Sequence, residues 1–499
     1  MKETVTTQSI EETLLASPAL AIIGGSSVPG LREQVSTTLN PANGQLIAEV
    51  AELDATDVDR AVQDARTSFE SGAWSAKSPG ERKTTLLAFA DLIEANAPEI
   101  ALLDTIDAGK PIIDTTETDL PDVIHTIRWY AELADKDFGK VSPAGLSSLG
   151  LTVREPVGVV GAVLPWNFPA SMLAWKIGPA LAAGNSVIVK PPELAPLSTI
   201  RIAQLALEAG IPEGVLNVVP GRGEIAGRAL GLHPEVDMIT FTGSSEVGRA
   251  FLGYSAASNL KKIVLEMGGK SPQVVLPDVD DLDAVATQLA TAGFWNGGQN
   301  CTCGSRIIVH ESMRDDLVEA LIRASRDWTV GNPRDAATRV GPMIEEAALT
   351  RILAHIDGAR QDGATVALGG GRMLQETGGW YVEPTILTDV RADMDVAREE
   401  IFGPVVSVLT YRTEAEAIAM ANDTVYGLHA SVYTNNLDAA FRVSRAVRAG
   451  TVSVNGFSEG DITTPFGGYR QSGFGGRDKG AEALDQYTEL KAIWMELKA

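Results

Sequence analysis

Cysteine is nearly absent: Cys301 and Cys303 are the only two in 499 residues. A disulfide framework is therefore excluded, and a bridge between these two would close a very tight, strained ring. A C-x-C pair cannot hold zinc without histidine help, and the five histidines are scattered along the chain, so no metal is expected. Free thiols in a large chain point to a reducing, cytoplasmic setting. Basic residues are also in short supply: 41 Lys and Arg face 65 Asp and Glu, a net charge of −24. A field of that sign repels nucleic acid and anionic membranes, and neither is expected as a partner. It favours a small neutral or cationic substrate only weakly, and solubility alone explains the acid excess. No apolar run approaches the length of a membrane span. The N-terminal stretch carries Glu3, Glu11 and Glu12, and Pro18 interrupts its apolar segment, residues 14–23. A secretory signal needs a basic start and an unbroken apolar core, so none is read there. Internal repeats and low-complexity segments are absent too.

What is present is the balance of a soluble globular protein, 44% hydrophobic and 21% charged, long enough for two or three domains. From about residue 55 to 136 apolar residues recur at three- and four-residue spacing, the helical period, as in Leu86-Leu87-Ala88-Phe89-Ala90-Asp91-Leu92-Ile93. Residues 149–156 alternate like a solvent-facing strand, and residues 490–497 do the same. The two could pair as a small sheet used for subunit contact. Between them, strands are predicted at 157–163, 186–189, 215–219, 238–241 and 263–265, with helices such as 198–209 in the gaps. That alternation predicts a parallel α/β sheet with helices on both faces, and dinucleotides bind at the carboxyl ends of such strands. Residues 266–269 look like a crossing point, and a second α/β set follows to about residue 454. The Gly-rich tail 466–476 reads as an irregular loop.

Chemistry concentrates at strand ends. The run Gly298-Gln299-Asn300-Cys301-Thr302-Cys303-Gly304 places both thiols in a glycine-flanked loop, and thiolates attack electrophilic carbon well. Gly243 and Ser244 follow a strand and open a helix, whose N-terminus suits a pyrophosphate: Gly243 for a tight turn, Ser244 as a hydroxyl donor. An ordinary strand–helix turn reads the same way. Gly221-Arg222-Gly223, with Gly227 beyond, resembles a loose dinucleotide fingerprint, but no acidic residue closes the following strand, so a structural role is preferred. Lys190 and Glu193 terminate a strand where an adenosine ribose would lie. A carboxylate there accepts from ribose hydroxyls and repels a 2′-phosphate, favouring NAD over NADP. A solvated Lys–Glu pair is the plain alternative. Asn167, fixed between Pro165 and Pro169, offers a rigid amide as oxyanion donor, or simply an Asx turn. Glu266 is a strand-end carboxylate able to act as a general base, or a capping glutamate. Glu400 and Phe402 could hold a ribose and a flat ring.

Six such stretches, taken in their order along the chain, resemble the NAD(P)-dependent aldehyde dehydrogenase superfamily over nearly the whole chain. The resemblance implies a Rossmann-like cofactor domain (1–136 and 158–265), a catalytic domain (266–479) and a small β oligomerisation arm (137–157 and 480–499), assembled as a homodimer or homotetramer. It implies Cys301 as nucleophile, Asn167 and the Cys301 N–H as oxyanion donors, and Glu266 as the base that activates water on a thioester. Lys190 and Glu193 match the adenosine-ribose contacts. Ser244 and Trp166 fall in the pyrophosphate region, Glu400 and Phe402 on the nicotinamide side, and Lys176 with Asp478 where a proton-relay pair is placed. Cys303 stands where the superfamily usually has alanine. It is read as a small packed residue, with a reversible oxidation partner for Cys301 as the alternative.

The C-terminal runs 459–473 and 477–480 and the ending 487–494 are similar to the subgroup acting on γ-glutamyl-γ-aminobutyraldehyde and related aminoaldehydes. An ω-amino substrate wants acids at the pocket mouth and aromatic walls. Asp119, Asp122 and Asp461 are candidate anchors, unless they form a solvated face. Phe168, Trp175, Trp295 and Phe457 are candidate walls. Competing expectations are an alkyl, aromatic or betaine aldehyde dehydrogenase, a CoA-acylating enzyme (disfavoured by Glu266), and a non-catalytic NAD-binding structural protein.

Overall fold

The computed structural model describes residues 14–497; Glu3, Glu11 and Glu12 lie outside the described residues. The helical period of the N-terminal third becomes the helices Ala55–Ser71, Pro79–Ala95, Ala97–Ala108 and Leu120–Leu133. Two of them start where side chains satisfy free N–H groups. Asp54 and Asp57 form a capping box, and so do Ser78 and Glu81, with Pro79 at the first helical position. The second of these helices buries Leu86, Phe89, Ala90 and Ile93, one face at three- and four-residue spacing.

Five parallel strands form the heart of an eight-stranded sheet. In space they run Leu216–Val218, Ser186–Lys190, Val159–Val163, Met238–Gly243 and Lys262–Met267. Val159–Val163 and Ser186–Lys190 are buried at every position, as strands covered on both faces must be. Strand order reverses around Val159–Val163, so a crevice opens beyond the carboxyl ends there. Two N-terminal strands, Ala21–Ile23 and Ser26–Val28, extend one edge antiparallel. The other edge carries Gly473–Phe474, paired with Leu265 and Glu266. Part of the tail expected to be loop is thus a short strand locked beside Glu266.

The chain crosses between sheets at residues 268–271. Pro272–Val275 is already inside a seven-stranded sheet, between Arg306–His310 and His429–Tyr433. A third sheet pairs Thr488–Glu496 with Ser148–Pro156, antiparallel from Thr488↔Pro156 to Glu496↔Ser148. The two alternating segments, more than 300 residues apart in sequence, do meet. Among the described residues no helix is long and apolar enough to cross a membrane, and no cluster of His, Cys, Asp and Glu could hold a metal.

Candidate active site

A cleft of about 1000 Å³ opens where the two large sheets face each other. Its walls come from the carboxyl ends of strands and the residues that follow them: 164–168, 190 with 192–194, 241–244 and 266–268. Nearly every site residue expected from the sequence meets here, although they span positions 119–478. Two do not line it, Lys176 and Asp461.

Cys301 is partly exposed in the cleft, on a loop that leaves the helix Leu282–Phe294 through three left-handed residues, Asn296 (φ 51°), Gly297 (φ 61°) and Gly298 (φ 67°). Asn296 is held there by donating its amide to the carbonyls of Asn167 and Gln299, each at 3.1 Å. The Asn167 amide donates to the Gln299 carbonyl at 3.0 Å and lines the cleft, leaving its second N–H for a ligand. Gln299 is fixed in turn by the Ile344 N–H, at 3.0 Å. The amide expected as oxyanion donor and the thiol loop are therefore tied together through Asn296, a link invisible in one dimension. Burial, then the carboxylates of Glu459, Glu400 and Glu266, push the Cys301 thiol well above its usual range. Cys303 turns its thiol into the core, toward the Gly293 carbonyl at 3.5 Å, the packed role expected of it.

Glu266 ends its strand 3% exposed. Burial first, and the Asp478 carboxylate second, raise its pKa well above the ordinary carboxylate range, while Lys176 pulls it down. Lys176 and Asp478 form a buried ion pair at 2.6 Å, with Asp478 in the cleft lining and Lys176 outside it, and both act on Glu266. Neighbouring positions on the helix Pro169–Ala183 split their duties: Trp175 lines the cleft and Lys176 faces Asp478.

On the dinucleotide side, the helix Ser245–Ala256 begins at the cleft, capped by Ser244, whose hydroxyl accepts from the Val247 N–H at 3.3 Å. Gly243 corrects an expectation. It makes no left-handed turn; glycine is needed because a Cβ would stand 2.5 Å from the Phe241 ring. The Lys190 ammonium donates to the Pro191 carbonyl at 3.0 Å and lies 3.6 Å from the half-exposed Glu193. Glu193 accepts from the Gly223 N–H, so the Gly221–Gly227 loop, expected to be structural only, supplies a cleft residue. Glu400 accepts from the Gly269 N–H at 2.9 Å, and burial raises it to about 7. Trp166 and Phe402 pack edge-to-face at 5.3 Å across the same end. A helix N-terminus, a buried ammonium, two accepting carboxylates and a flat aromatic wall match the chemistry of a nicotinamide dinucleotide.

On the other side Phe168, Trp295 and Phe457 form an aromatic row with centroids 5.2 and 6.3 Å apart. Trp175 and Phe466 form a second aromatic pair in the lining, with centroids 5.3 Å apart. Asp122 lines the cleft and accepts from the Trp175 indole at 2.8 Å. The other two expected anchors need correction. Asp119 borders the cleft, but its carboxylate is paired at 2.5 Å with the buried Lys110, which also caps the Phe168 ring at 3.5 Å. Asp461 accepts from the Thr463 N–H and hydroxyl at a surface turn, outside the cleft lining. The acid that does line the cleft here is Glu459, two residues earlier, which accepts from the Thr302 hydroxyl at 2.5 Å. Two acids flank one glycine in that loop, and no periodicity marks which one turns inward.

A crevice of this chemistry beyond a parallel sheet, with a thiol and a buried carboxylate at its inner end, defines a dinucleotide-linked oxidoreductase with a candidate cysteine nucleophile. The chain belongs to the aldehyde dehydrogenase family, whose model matches residues 30–493. The reaction of this family is NAD(P)-dependent oxidation of an aldehyde. An aminoacetaldehyde dehydrogenase of Pseudomonas aeruginosa is 51% identical, over 96% of each chain. A solved γ-glutamyl-γ-aminobutyraldehyde dehydrogenase of Burkholderia cenocepacia is 48% identical, with a TM-score of 0.95, over 99% of this chain and 100% of that one. A solved indole-3-acetaldehyde dehydrogenase, complexed with NAD+, is 48% identical at a TM-score of 0.96, with the same coverage.

Proposed function

We propose that this enzyme oxidises an ω-aminoaldehyde to the amino acid, with γ-glutamyl-γ-aminobutyraldehyde within its range, through a thioester on Cys301. The observation that carries the reading is the meeting of Cys301, Asn167 and Glu266 in one cleft beyond the sheet's carboxyl ends. The Cys301 thiolate attacks the aldehyde carbon, and the free Asn167 N–H with the Cys301 backbone N–H hold the oxyanion. A nicotinamide cofactor held by this cleft would supply the hydride acceptor for the substrate carbon, and its positive charge would offset the carboxylates of Glu459, Glu400 and Glu266 that raise the Cys301 thiol. Glu266, its proton affinity raised by burial, takes a proton from the water that releases the acid, and the Lys176–Asp478 pair tunes that affinity.

Glu193 and Lys190 would receive the adenosine ribose of the cofactor, Ser244 and Trp166 its pyrophosphate region, and Glu400 with Phe402 its nicotinamide side. The body built on the first sheet (1–136 and 158–265) holds NAD, and 266–479 carries the nucleophile. The third sheet, 137–157 with 480–499, joins copies into a homodimer or homotetramer. Its strand Thr488–Glu496 leaves Leu490 and Trp494 on one face, 65% and 61% exposed. Two free thiols suit a cytoplasmic setting.

The relatives named for aminoaldehydes and the aromatic row of the cleft support the substrate class. A panel with NAD tests it: 3-aminopropanal, 4-aminobutanal, γ-glutamyl-aminobutanal, betaine aldehyde, indole-3-acetaldehyde and propanal. The reading expects the highest kcat/KM among the aminated compounds; a clear lead for propanal or for the indole aldehyde defeats it.

A further inference from the structure

We propose that Glu459 is the residue that reads the substrate's ammonium, and that it selects short aminoaldehydes, whose charge lies only a few bonds from the carbonyl. The inference rests on the aminoaldehyde reading above and narrows it.

Glu459 lines the cleft together with Cys301, Asn300 and Phe457. Its Oε1 accepts from the hydroxyl of Thr302, the residue directly after the nucleophile, at 2.5 Å. Of the carboxylates that act on the Cys301 thiol, Glu459 acts most strongly, ahead of Glu400 and Glu266, and both Glu459 and Cys301 line the one cleft. The side-chain partners of Glu459 are neutral groups, the Thr302 hydroxyl and the Asn300 side chain. The cation that acts on it is Lys479, but the Lys479 ammonium is turned to the backbone carbonyls of Glu459 and Gly460, at 3.4 and 3.0 Å, and lies 4.9 Å over the Trp175 ring.

Charge counting along this wall favours the same role. Lys110 neutralises Asp119 at 2.5 Å. Lys479 is then one positive charge against two carboxylates in the cleft, Asp122 and Glu459. Asp122 accepts from the Trp175 indole, across the aromatic wall. Burial raises Glu459, as expected of a carboxylate short of a counter-ion. An ammonium on a short chain from Cys301 would meet Glu459, with the Phe457 and Trp295 rings as cation–π walls. The aldehyde arm of γ-glutamyl-aminobutanal would bring a methylene segment or neutral amide to the same spot, and its charged head would lie farther out.

The test compares wild type with Glu459→Gln, by kcat/KM with NAD, for 3-aminopropanal, propanal and γ-glutamyl-aminobutanal. Removing this charge also eases ionisation of Cys301, which changes every substrate together, so the ratios between substrates carry the answer. The 3-aminopropanal/propanal ratio is expected to fall about tenfold or more, mostly through KM, the scale of a hydrogen bond to a charged group. The γ-glutamyl-aminobutanal/propanal ratio is expected to stay within about twofold. A second reading needs no turnover: the rate of Cys301 modification by aminoethyl methanethiosulfonate relative to the neutral methyl reagent should fall in Glu459→Gln by a similar factor. Unchanged ratios in a wild type that prefers amines overturn the role of Glu459 and leave the substrate class standing. An equal fall for γ-glutamyl-aminobutanal also overturns it. A wild type that prefers propanal defeats the substrate class and this inference with it.

Discussion

Breaking the Lys176–Asp478 pair from its two ends should move Glu266 in opposite directions. Asp478 raises its proton affinity and Lys176 lowers it. Glu266 acts as a base only when deprotonated, so kcat limited by deacylation rises with pH through its raised pKa. Asp478→Asn is expected to shift that acid limb to lower pH, and Lys176→Met to higher pH, in stopped-flow or steady-state profiles. Shifts of the same sign in both would remove the pair from the base's environment. Each change also leaves one buried charge without its partner, a loss of about 3–5 kcal/mol read by denaturation. At the cofactor end, Glu193→Ala should raise the NADP/NAD ratio of kcat/KM, because the carboxylate that would repel a 2′-phosphate is gone. An unchanged ratio would displace the ribose from Glu193.

The tail strand Gly473–Phe474 and the segment before it act on catalysis through packing. A Cβ on Gly467 would stand 2.5 Å from Glu266 Oε1, the movable end of a side chain. Gly467→Ala should therefore slow deacylation by about tenfold or more through displacement of the base, and lower Tm as well, because the backbone there has φ 158° and the same Cβ would stand 2.6 Å from Arg477 Cδ; an NADH burst followed by slow turnover is the signature that separates the displaced base from lost stability. Equal burst and steady rates would show that Glu266 tolerates the methyl. The sequence made the parallel strands legible because continuous apolar runs ended at chemistry-bearing turns, and it made the pairing of 149–156 with 490–497 legible through shared alternation. It hid the two-residue strand Gly473–Phe474, because glycine-rich segments carry no period. It also hid which loop acid turns inward, Glu459 rather than Asp461, and that Asp119 is matched by Lys110 across the Gly109–Pro111 break. Those facts come from long-range packing, and local spacing does not encode them. Cys301 stood out because cysteine is so scarce, whereas local pattern left Asn167 and Glu266 as candidates with plain alternatives, and it was the order of the motifs along the chain, through the family resemblance, that gave the three their roles.

At the scale of the whole molecule, two sheets form a cleft and a third sheet leaves apolar side chains on an open edge. Leu490→Asp with Trp494→Asp should lower the mass seen by sedimentation toward that of one chain, if this face joins copies; an unchanged assembly would move the contact elsewhere. The central claim, a covalent acyl intermediate on one sulfur, has its own whole-molecule readout. Intact-protein mass spectrometry of Glu266→Gln, mixed with NAD and 3-aminopropanal, should show one added acyl group per chain, mapped by peptide analysis to Cys301 and absent from the Cys301→Ser control. NADH formation at the wild-type steady rate with no adduct, or an adduct on Cys303, would contradict the account.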